Sequence, residues 1–178
     1  MKLYLGGIKQ MENKKLRVCI IGAGFITGTQ HIPAINKLKD RLELAGVADC
    51  REDALIHLAK TYGIKNIYTD PMEMLDKEKP DLVHVCTANN THKHFTIEAL
   101  RRGANVLCEK PLALTLRDAQ EMLAEAKKAG KLLMTCQNSR IGAVQEMKKI
   151  VDSQELGEIY YTEIENIRRR GVPTWGRF

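Results

Sequence analysis

The chain has 178 residues, of which 44% are hydrophobic and 5% aromatic, and its formal net charge is +6 at pH 7. This length suits one domain, or one domain with part of another, and it can bury a hydrophobic core. No run approaches the length of apolar sequence that crosses a membrane, and the amino terminus turns polar too soon for a signal peptide. Because few aromatic residues accompany the scattered basic ones, we expect a solvated basic surface and no nucleic-acid site.

The amino terminus and the cysteines set two further expectations. Residues 11–15, M-E-N-K-K, read like a natural start, so residues 1–10 are expected to lie outside the fold. The cysteines are odd in number, form no C-x-x-C pair and lie in or beside apolar strand signals. Buried reduced thiols in a cytoplasmic protein are therefore expected, with no metal site. The five are Cys19, Cys50, Cys86, Cys108 and Cys136.

The first strong structural signal is the sequence L-R-V-C-I-I-G-A-G-F-I-T-G at residues 16–28. The apolar run before Gly22 is typical of a buried parallel strand. Gly22 and Gly24 suit a tight strand-to-helix turn, where a phosphate approaches the backbone and the helix N-terminus. Thr27 stands where the fingerprint G-x-G-x-x-G/A has a small residue, so the helix is expected slightly farther from the strand. The alternative is a strand, turn and helix with no ligand.

Strand and helix signals then alternate along the chain. Further strands are expected at residues 42–49, 67–69, 81–87, 104–108 and 132–136. Helices are expected at residues 51–62, 71–75, about 91–102 and 116–129, and glycines at 63, 103 and 130 end three of them. Asp70 and Thr115 are typical residues for starting a helix. Six strands separated by helices predict an α/β doubly wound parallel sheet of the Rossmann type.

The pattern changes after residue 136. Val144, Met147, Ile150 and Val151 mark a helix, and the β-branched, tyrosine-rich residues 159–167 predict a strand. That strand has no evident partner within the chain, so a homo-oligomer formed through it is one expectation. We therefore expect a dinucleotide-binding domain at residues 11–137 and the beginning of a truncated second α/β domain at residues 138–178.

Ligands of doubly wound sheets bind outside the carboxyl ends of the strands, which directs attention to Asp49. A carboxylate at that position accepts hydrogen bonds from the adenosine ribose and repels a 2′-phosphate, which favours NAD over NADP. Arg51 favours the opposite preference, because an arginine nearby can pair with that phosphate. The alternative role of Asp49 is that of a turn residue capping the next helix.

Glu109, Lys110 and Pro111 directly follow another expected strand. A lysine there can donate hydrogen bonds to a substrate oxygen and move a proton. Burial and a cationic cofactor ring would both favour its neutral form. Pro111 fixes the turn, and bonds that precede proline can be cis. The alternative for Lys110 is a solvated turn residue.

Together these segments resemble the Gfo/Idh/MocA oxidoreductase family, which includes glucose-fructose oxidoreductase and inositol dehydrogenase. The resemblance covers nearly the whole chain from residue 16. It rests on G-A-G-F-I at 22–26, Asp49, C-T-A-N-N-T-H at 86–92, Ala99-Leu100, C-E-K-P-L-A-L-T at 108–115, Gln137-Asn138 and R-R-G-V-P-T-W at 169–175.

The resemblance implies an NAD(P)-dependent enzyme that moves a hydride between the nicotinamide and a carbinol carbon of a sugar, cyclitol or related polyol. It implies a catalytic Lys110 between cofactor and substrate, with a cis bond to Pro111, and Gln137 near the substrate pocket. The residues that would line the pyrophosphate turn are Gly22, Gly24, Phe25 and Ile26. The adenosine ribose would be held by Asp49 and Arg51. The residues that would lie near the nicotinamide half are Thr87, Asn89, His92 and Glu109.

The histidines have alternatives of their own. His92 is either near the nicotinamide or an exposed residue at the start of a helix. His31 and His84 are expected to be structural, since the sequence pairs them with no role. His57 and His94 are expected on helix surfaces.

The chain also departs from the family pattern. Thr27 stands in place of alanine or glycine, and Ala88 in place of proline. Family members are about twice as long, and their second domain carries a D-x-x-x-H sequence that does not follow Lys110 here. We therefore expect cofactor binding with little or no turnover by this chain alone. The alternatives to an oxidoreductase are a dinucleotide-binding module without turnover and a truncated product that binds nothing tightly.

Overall fold

The computed structural model describes residues 14–137, 142–165 and 167, and its first 124 described residues form a parallel sheet with helices. The expectations for residues 1–10 and for the R-R-G-V-P-T-W segment lie outside the described residues. Six strands are present in the described part of the chain. They are β1 (Leu16–Ile21), β2 (Leu42–Ala48), β3 (Ile67–Tyr68), β4 (Leu82–Val85), β5 (Asn105–Cys108) and β6 (Leu133–Thr135).

The strands lie in the order β3-β2-β1-β4-β5-β6, and every neighbouring pair is parallel. The chain therefore runs outward from β1 on one side and then crosses back to build the other side. This is the strand order of the doubly wound Rossmann fold, and it confirms the predicted fold class. Ligands of this fold bind between the two halves, beyond the carboxyl ends of β1 and β4.

The helices begin and end where local capping chemistry places them. Asp70 accepts a hydrogen bond from the backbone N–H of Met72 at the start of α3 (Pro71–Glu78), and Thr115 accepts one from Asp118 at the start of α5 (Leu116–Ala129). Gly63 ends α2 (Glu52–Tyr62) and Gly130 ends α5, both in the left-handed conformation. The helices of the sheet domain are α1 (Ile32–Lys37), α2 (Glu52–Tyr62), α3 (Pro71–Glu78), α4 (His92–Arg101) and α5 (Leu116–Ala129).

The core consists of two clusters, because the strand residues alternate between the two faces of the sheet. One cluster joins Val83 and Val85 to α3, α4 and α5. The other joins Val18 and Ile20 to α1 and α2. His84 lies between Val83 and Val85 and therefore faces the second cluster, on the side of α1. Within the described residues all five cysteines are free, and Cys19, Cys86 and Cys108 are buried.

The chain divides into two compact units, with the boundary after Cys136. The second unit contains α6 (Ala143–Asp152), which confirms the helix predicted from its apolar periodicity. The predicted strand at residues 159–167 was wrong: residues 159–165 and 167 have no regular secondary structure and are exposed. A strand is stable only when its backbone pairs with another, and β-branched composition does not supply that partner.

No helix among the described residues is long and apolar enough to span a membrane.

Candidate functional site

The ends of four strands bring the candidate residues to one edge of the sheet. β1, β2, β4 and β5 are parallel neighbours, so the residues that follow them lie side by side. Ile21 is paired with Ala48 and with Val85, and Val85 is paired with Cys108. The next residues of these strands are Gly22, Asp49, Cys86 and Glu109.

Gly22 and Gly24 are glycine for different reasons. Gly22 has a φ of +106°, and a Cβ there would lie 2.4 Å from the carbonyl oxygen of Cys86, so the fold itself requires a glycine. A Cβ on Gly24 would have no other atom within 4 Å. Neither packing nor a positive φ therefore explains Gly24. Open space beside the backbone is what a pyrophosphate needs in order to approach this turn.

Thr27 fits into the turn and is fully buried. Its hydroxyl donates a hydrogen bond to the carbonyl oxygen of Gly22, with 2.6 Å between the oxygens. The helix that follows the turn contains a π-helical segment, Thr27–His31, which the sequence did not predict. Gly28 lies against Leu58 and accepts a hydrogen bond from the hydroxyl of Tyr62, so a glycine still permits close packing here.

The carboxylate of Asp49 is held by two backbone segments. Oδ2 accepts a hydrogen bond from the N–H of Ala23 at 2.7 Å, and Oδ1 accepts one from the N–H of Arg51 at 2.9 Å. Burial raises the pKa of Asp49, but these bonds and the Arg51 guanidinium outweigh it and hold the pKa below its ordinary value. An ionised carboxylate has about four acceptor positions, so it can also receive ribose hydroxyls. The turn role and the ribose role of Asp49 are therefore compatible.

Glu109 is nearly buried and is in contact with two histidines that the sequence analysis had left without a role. Its Oε1 lies 2.9 Å from Nε2 of His31, and Nδ1 of His31 lies 3.0 Å from Nδ1 of His84. Oε2 accepts a hydrogen bond from the backbone N–H of Lys110. Burial raises the pKa of Glu109, but the hydrogen bonds from His31 and Lys110 hold it below its ordinary value.

The turn at Lys110 and Pro111 has the cis bond that the family resemblance implies. The side chain of Lys110 is exposed, as in the alternative of a solvated turn residue, because the described residues that surround the turn leave it in solvent. The backbone of the turn is nevertheless fixed, because His92 Nδ1 lies 2.8 Å from the carbonyl oxygen of Pro111.

His92 is fully buried, so its alternative as a solvent-exposed helix residue was wrong. Its other nitrogen, Nε2, lies 3.1 Å from the carbonyl oxygen of Thr87. The ring therefore links the end of β4 to the turn after β5. His57 and His94 are exposed on α2 and α4, as predicted.

The remaining predicted residues lie in three places. Phe25 is 59% exposed and Ile26 is partly buried, both directly after the glycine turn. Thr87 accepts a hydrogen bond from the hydroxyl of Thr91, and Asn89 is exposed. Gln137 is exposed and begins the second unit.

Sequence reasoning missed the group around Glu109, which consists of the buried rings of His31 and His84 and the partly buried Cys136. Ligand atoms of His31, Glu109 and Cys136 lie within 4.8 Å of one another, a grouping that could hold a metal ion. The direct 2.9 Å contact between His31 and Glu109 accounts for two of those atoms as a hydrogen bond. No local motif could have revealed the group, since His31 and Glu109 are 78 positions apart.

Comparison with known proteins agrees with this geometry. Residues 16–137 match the Gfo/Idh/MocA profile, described as an oxidoreductase family with an NAD-binding Rossmann fold. The matched segment spans the whole six-stranded sheet and includes each strand end described above. The chain belongs to this family.

Individual relatives are sugar and cyclitol dehydrogenases. The chain is 41% identical to D-glucoside 3-dehydrogenase of Escherichia coli K12 over 94% of this chain and 48% of that enzyme. It is 34% identical to myo-inositol 2-dehydrogenase of Thermotoga maritima over 87% of this chain and 45% of that enzyme. The chain thus spans about half the length of the curated relatives it matches.

The fold is also that of solved dehydrogenases. The WlbA dehydrogenase from Bordetella pertussis, solved with NADH and UDP-GlcNAcA, superposes with a TM-score of 0.77 at 29% identity, over 83% of this chain and 45% of that one. The myo-inositol 2-dehydrogenase from Lactobacillus plantarum gives a TM-score of 0.76 at 28% identity, over 82% of this chain and 43% of that one. This chain therefore corresponds to the nucleotide-binding part of such enzymes.

Proposed function

We propose that this chain binds NAD at the edge formed by Gly22, Asp49 and Glu109, as part of an oxidoreductase acting on CH–OH groups of sugars, cyclitols or related polyols. The observation that carries the proposal is the open space at Gly24. It lies beside a turn whose other glycine is required by packing, and next to a carboxylate at the end of β2. A dinucleotide needs both features, one for its pyrophosphate and one for its ribose.

The residues of the edge fit the proposed cofactor from its adenosine end to its nicotinamide end. Asp49 would accept the ribose hydroxyls, and its negative charge favours NAD over NADP. Arg51 is exposed and its Nε lies 3.4 Å from Asp49, so the guanidinium is already engaged by the carboxylate. The turn at Gly22 and Gly24, with Phe25 and Ile26, would approach the pyrophosphate. Thr87, Asn89 and His92, together with Glu109, Lys110 and Pro111, would lie towards the nicotinamide.

The nicotinamide, when bound, supplies the hydride donor or acceptor. Lys110 would donate a hydrogen bond to the substrate oxygen and move the proton that accompanies hydride transfer. Its ammonium group is exposed in the described part of the chain. Water must be excluded from such a site for efficient transfer. We therefore infer that Lys110 is covered by another part of the whole protein when the substrate is bound.

Calorimetric titration of the chain with NADH and with NADPH tests the proposal. We expect NADH to bind with a dissociation constant of about micromolar magnitude and NADPH to bind more weakly. Failure of both cofactors to bind would refute a working dinucleotide site. Tighter binding of NADPH would instead refute the assignment of Asp49 and favour Arg51 as a phosphate-binding residue.

A second candidate is a dinucleotide-binding module without turnover, and the exposure of Lys110 favours it for this chain in isolation. Measuring NADH oxidation with a panel of ketoses and inosose-type ketones separates the two candidates. Turnover by the chain would favour the enzyme, whereas binding without turnover would favour the module. We also infer a reducing, cytoplasmic setting from the buried thiols Cys19, Cys86 and Cys108.

Self-association is a separate proposal. Tyr160, Tyr161, Ile164 and Ile167 are exposed in the second unit, and an apolar segment of this kind can pair with a second copy. Light scattering across a concentration series should show a dimer or larger species. A monomer at all concentrations would refute the proposal.

A further inference from the structure

Three polar side chains form a continuous buried line beneath the proposed cofactor site. His84 lies within β4, His31 ends the π-helical segment after the glycine turn, and Glu109 follows β5. The contacts measure 3.0 Å between the two Nδ1 atoms and 2.9 Å between His31 Nε2 and Glu109 Oε1. The two histidines are 4% and 6% exposed, so water does not compete for these contacts.

The chemistry of the three groups fixes one proton and leaves two arrangements for another. The ionised carboxylate of Glu109 is only an acceptor, so the hydrogen bond requires a proton on Nε2 of His31. Between the two rings, either Nδ1 of His84 donates to a neutral His31, or Nδ1 of a doubly protonated His31 donates to His84. Burial and the neighbouring His31 lower the pKa of His84 to about 3, despite Glu109 raising it, so His84 is neutral in both arrangements.

The second oxygen of Glu109 is fixed as well. Oε2 accepts a hydrogen bond from the N–H of Lys110 at 3.1 Å. With one oxygen on His31 and the other on Lys110, the carboxylate has a single orientation. The thiol of Cys136 also forms a hydrogen bond with this carboxylate. A carboxylate has about four acceptor positions, so at least one remains for a hydroxyl of a ligand.

We propose that His31 is a positioning residue of the cofactor site: its Nε2–H orients the Glu109 carboxylate, and the contact of His84 with Nδ1 holds the His31 ring in the orientation that can do so. The proposal rests on the proposed function, because it assumes that Glu109 receives a hydroxyl of the cofactor. It differs from a packing role, because a packing role depends on the shape of the ring and not on which nitrogen carries the proton. In many sites a carboxylate accepts a hydrogen bond from an imidazole and so fixes the orientation of the imidazole. Here the same hydrogen bond fixes the orientation of the carboxylate of Glu109.

The tautomers can be read without any cofactor. Long-range proton–nitrogen NMR of the uniformly labelled full chain at about pH 8 distinguishes Nδ1–H from Nε2–H in each ring. The ring signals are assigned with single His→Gln variants. We expect a proton on Nε2 of His31. A His31 ring that carries its proton on Nδ1 alone would overturn the proposal, since Nε2 would then have no proton to donate to Glu109.

A pair of substitutions tests the effect on the cofactor. His31→Gln keeps an amide N–H that can reach Glu109, whereas His31→Leu keeps bulk and loses the donor. We expect NADH affinity to fall by about tenfold or more in His31→Leu and by less than about threefold in His31→Gln. His57→Leu, on the exposed face of α2, serves as a control and should bind like the unmodified chain.

Thermal unfolding of each variant separates positioning from folding. Equal losses of NADH affinity in His31→Gln and His31→Leu would overturn the proposal, because the donor would not matter. So would unchanged affinity in His31→Leu with a lowered Tm, which indicates a purely structural role. If the unmodified chain binds no NADH, the proposed function and the positioning role both fail, while the tautomers still report whether the hydrogen-bonded line exists.

Discussion

The carboxylate of Asp49 holds the N–H of Ala23 at 2.7 Å, which ties the end of β2 directly to the glycine turn after β1. The residue expected to bind ribose therefore also fixes the turn expected to bind phosphate. In the proposed cofactor site, this one carboxylate would therefore both accept the ribose hydroxyls and hold the backbone that the pyrophosphate approaches. The bond to Ala23 also helps to keep Asp49 ionised, since hydrogen bonds to the charged form lower the pKa of a carboxyl group.

Asp49→Asn and Asp49→Ala should separate the two roles of this residue. The amide oxygen of asparagine can still accept from Ala23, so Asp49→Asn should lose less than about 1 kcal/mol of stability, whereas Asp49→Ala should lose about 1–2 kcal/mol. Both should weaken NADH binding by about tenfold and narrow the difference between NADH and NADPH. Calorimetry and urea unfolding measure the two effects.

The matched control for Asp49 is Asp40→Asn. Asp40 is exposed and precedes β2, at the end of the strand away from the candidate site. It should change neither NADH affinity nor the preference for NADH over NADPH. An unchanged preference in Asp49→Asn would contradict the ribose assignment.

Alanine at Gly22 and at Gly24 should have opposite consequences. In Gly22→Ala the new Cβ meets the Cys86 carbonyl at 2.4 Å, at a φ of +106°, so stability should fall by about 3 kcal/mol or more. In Gly24→Ala the Cβ enters open space, so stability should change by less than about 0.5 kcal/mol. NADH binding should nevertheless weaken by at least about tenfold, because the methyl group occupies the approach to the backbone.

Measuring the Tm and the NADH dissociation constant of both variants tests these two expectations. Gly24→Ala with unaltered NADH affinity would place the pyrophosphate elsewhere. A fully stable Gly22→Ala would mean that β4 can move away from the turn.

The sheet and its helices were predictable because their signals are local. Apolar runs marked the strands, Asp70 and Thr115 marked helix starts, and Gly63 marked a helix end. The placement of Asp49 and Glu109 at the ligand-binding edge was also predictable, since the carboxyl ends of parallel strands lie at one edge of the sheet. These inferences needed only spacing along the chain and the rule for where ligands bind.

Features that depend on distant partners were not predictable. His31 and His84 are 53 positions apart, and only the packing of the helix after β1 against β4 brings their rings together. The exposure of Lys110 likewise depends on what surrounds its turn. The segment at residues 159–167 has strand-like composition, but composition alone does not provide a backbone to pair with.

Thr27 should stabilise the glycine turn through its hydroxyl and not merely fill space. The hydroxyl is fully buried and donates to Gly22 at 2.6 Å, so Thr27→Val should lose about 1 kcal/mol or more in urea unfolding. Thr27→Ser keeps the hydroxyl and should lose less. Thr29→Val serves as a control because the Thr29 hydroxyl also donates to a backbone carbonyl, that of Phe25 at 2.9 Å, but from an exposed residue. It should change stability by less than about 0.5 kcal/mol. A loss in Thr27→Ser as large as that in Thr27→Val would contradict the prediction, because removing the methyl group would then cost as much as removing the hydroxyl.

His84 should make the stability of the fold depend on pH. Its pKa is about 3 in the folded chain, against 6.5 for an ordinary histidine, because burial and His31 oppose its charge more than Glu109 favours it. The unfolded chain therefore binds a proton first as the pH falls. The folded state should lose stability between about pH 6.5 and pH 3, by at most about 1.4 kcal/mol per pH unit from this group.

Urea unfolding between about pH 4.5 and 7.5 tests this dependence in the unmodified chain and in His84→Asn. Asparagine keeps an N–H for His31 but does not titrate, so His84→Asn should show a shallower fall in unfolding free energy towards acid. His57→Asn, at an exposed position, should keep the original slope. If His84→Asn and the unmodified chain lose stability in parallel, the acid sensitivity lies in other groups and His84 does not resist protonation in the folded chain.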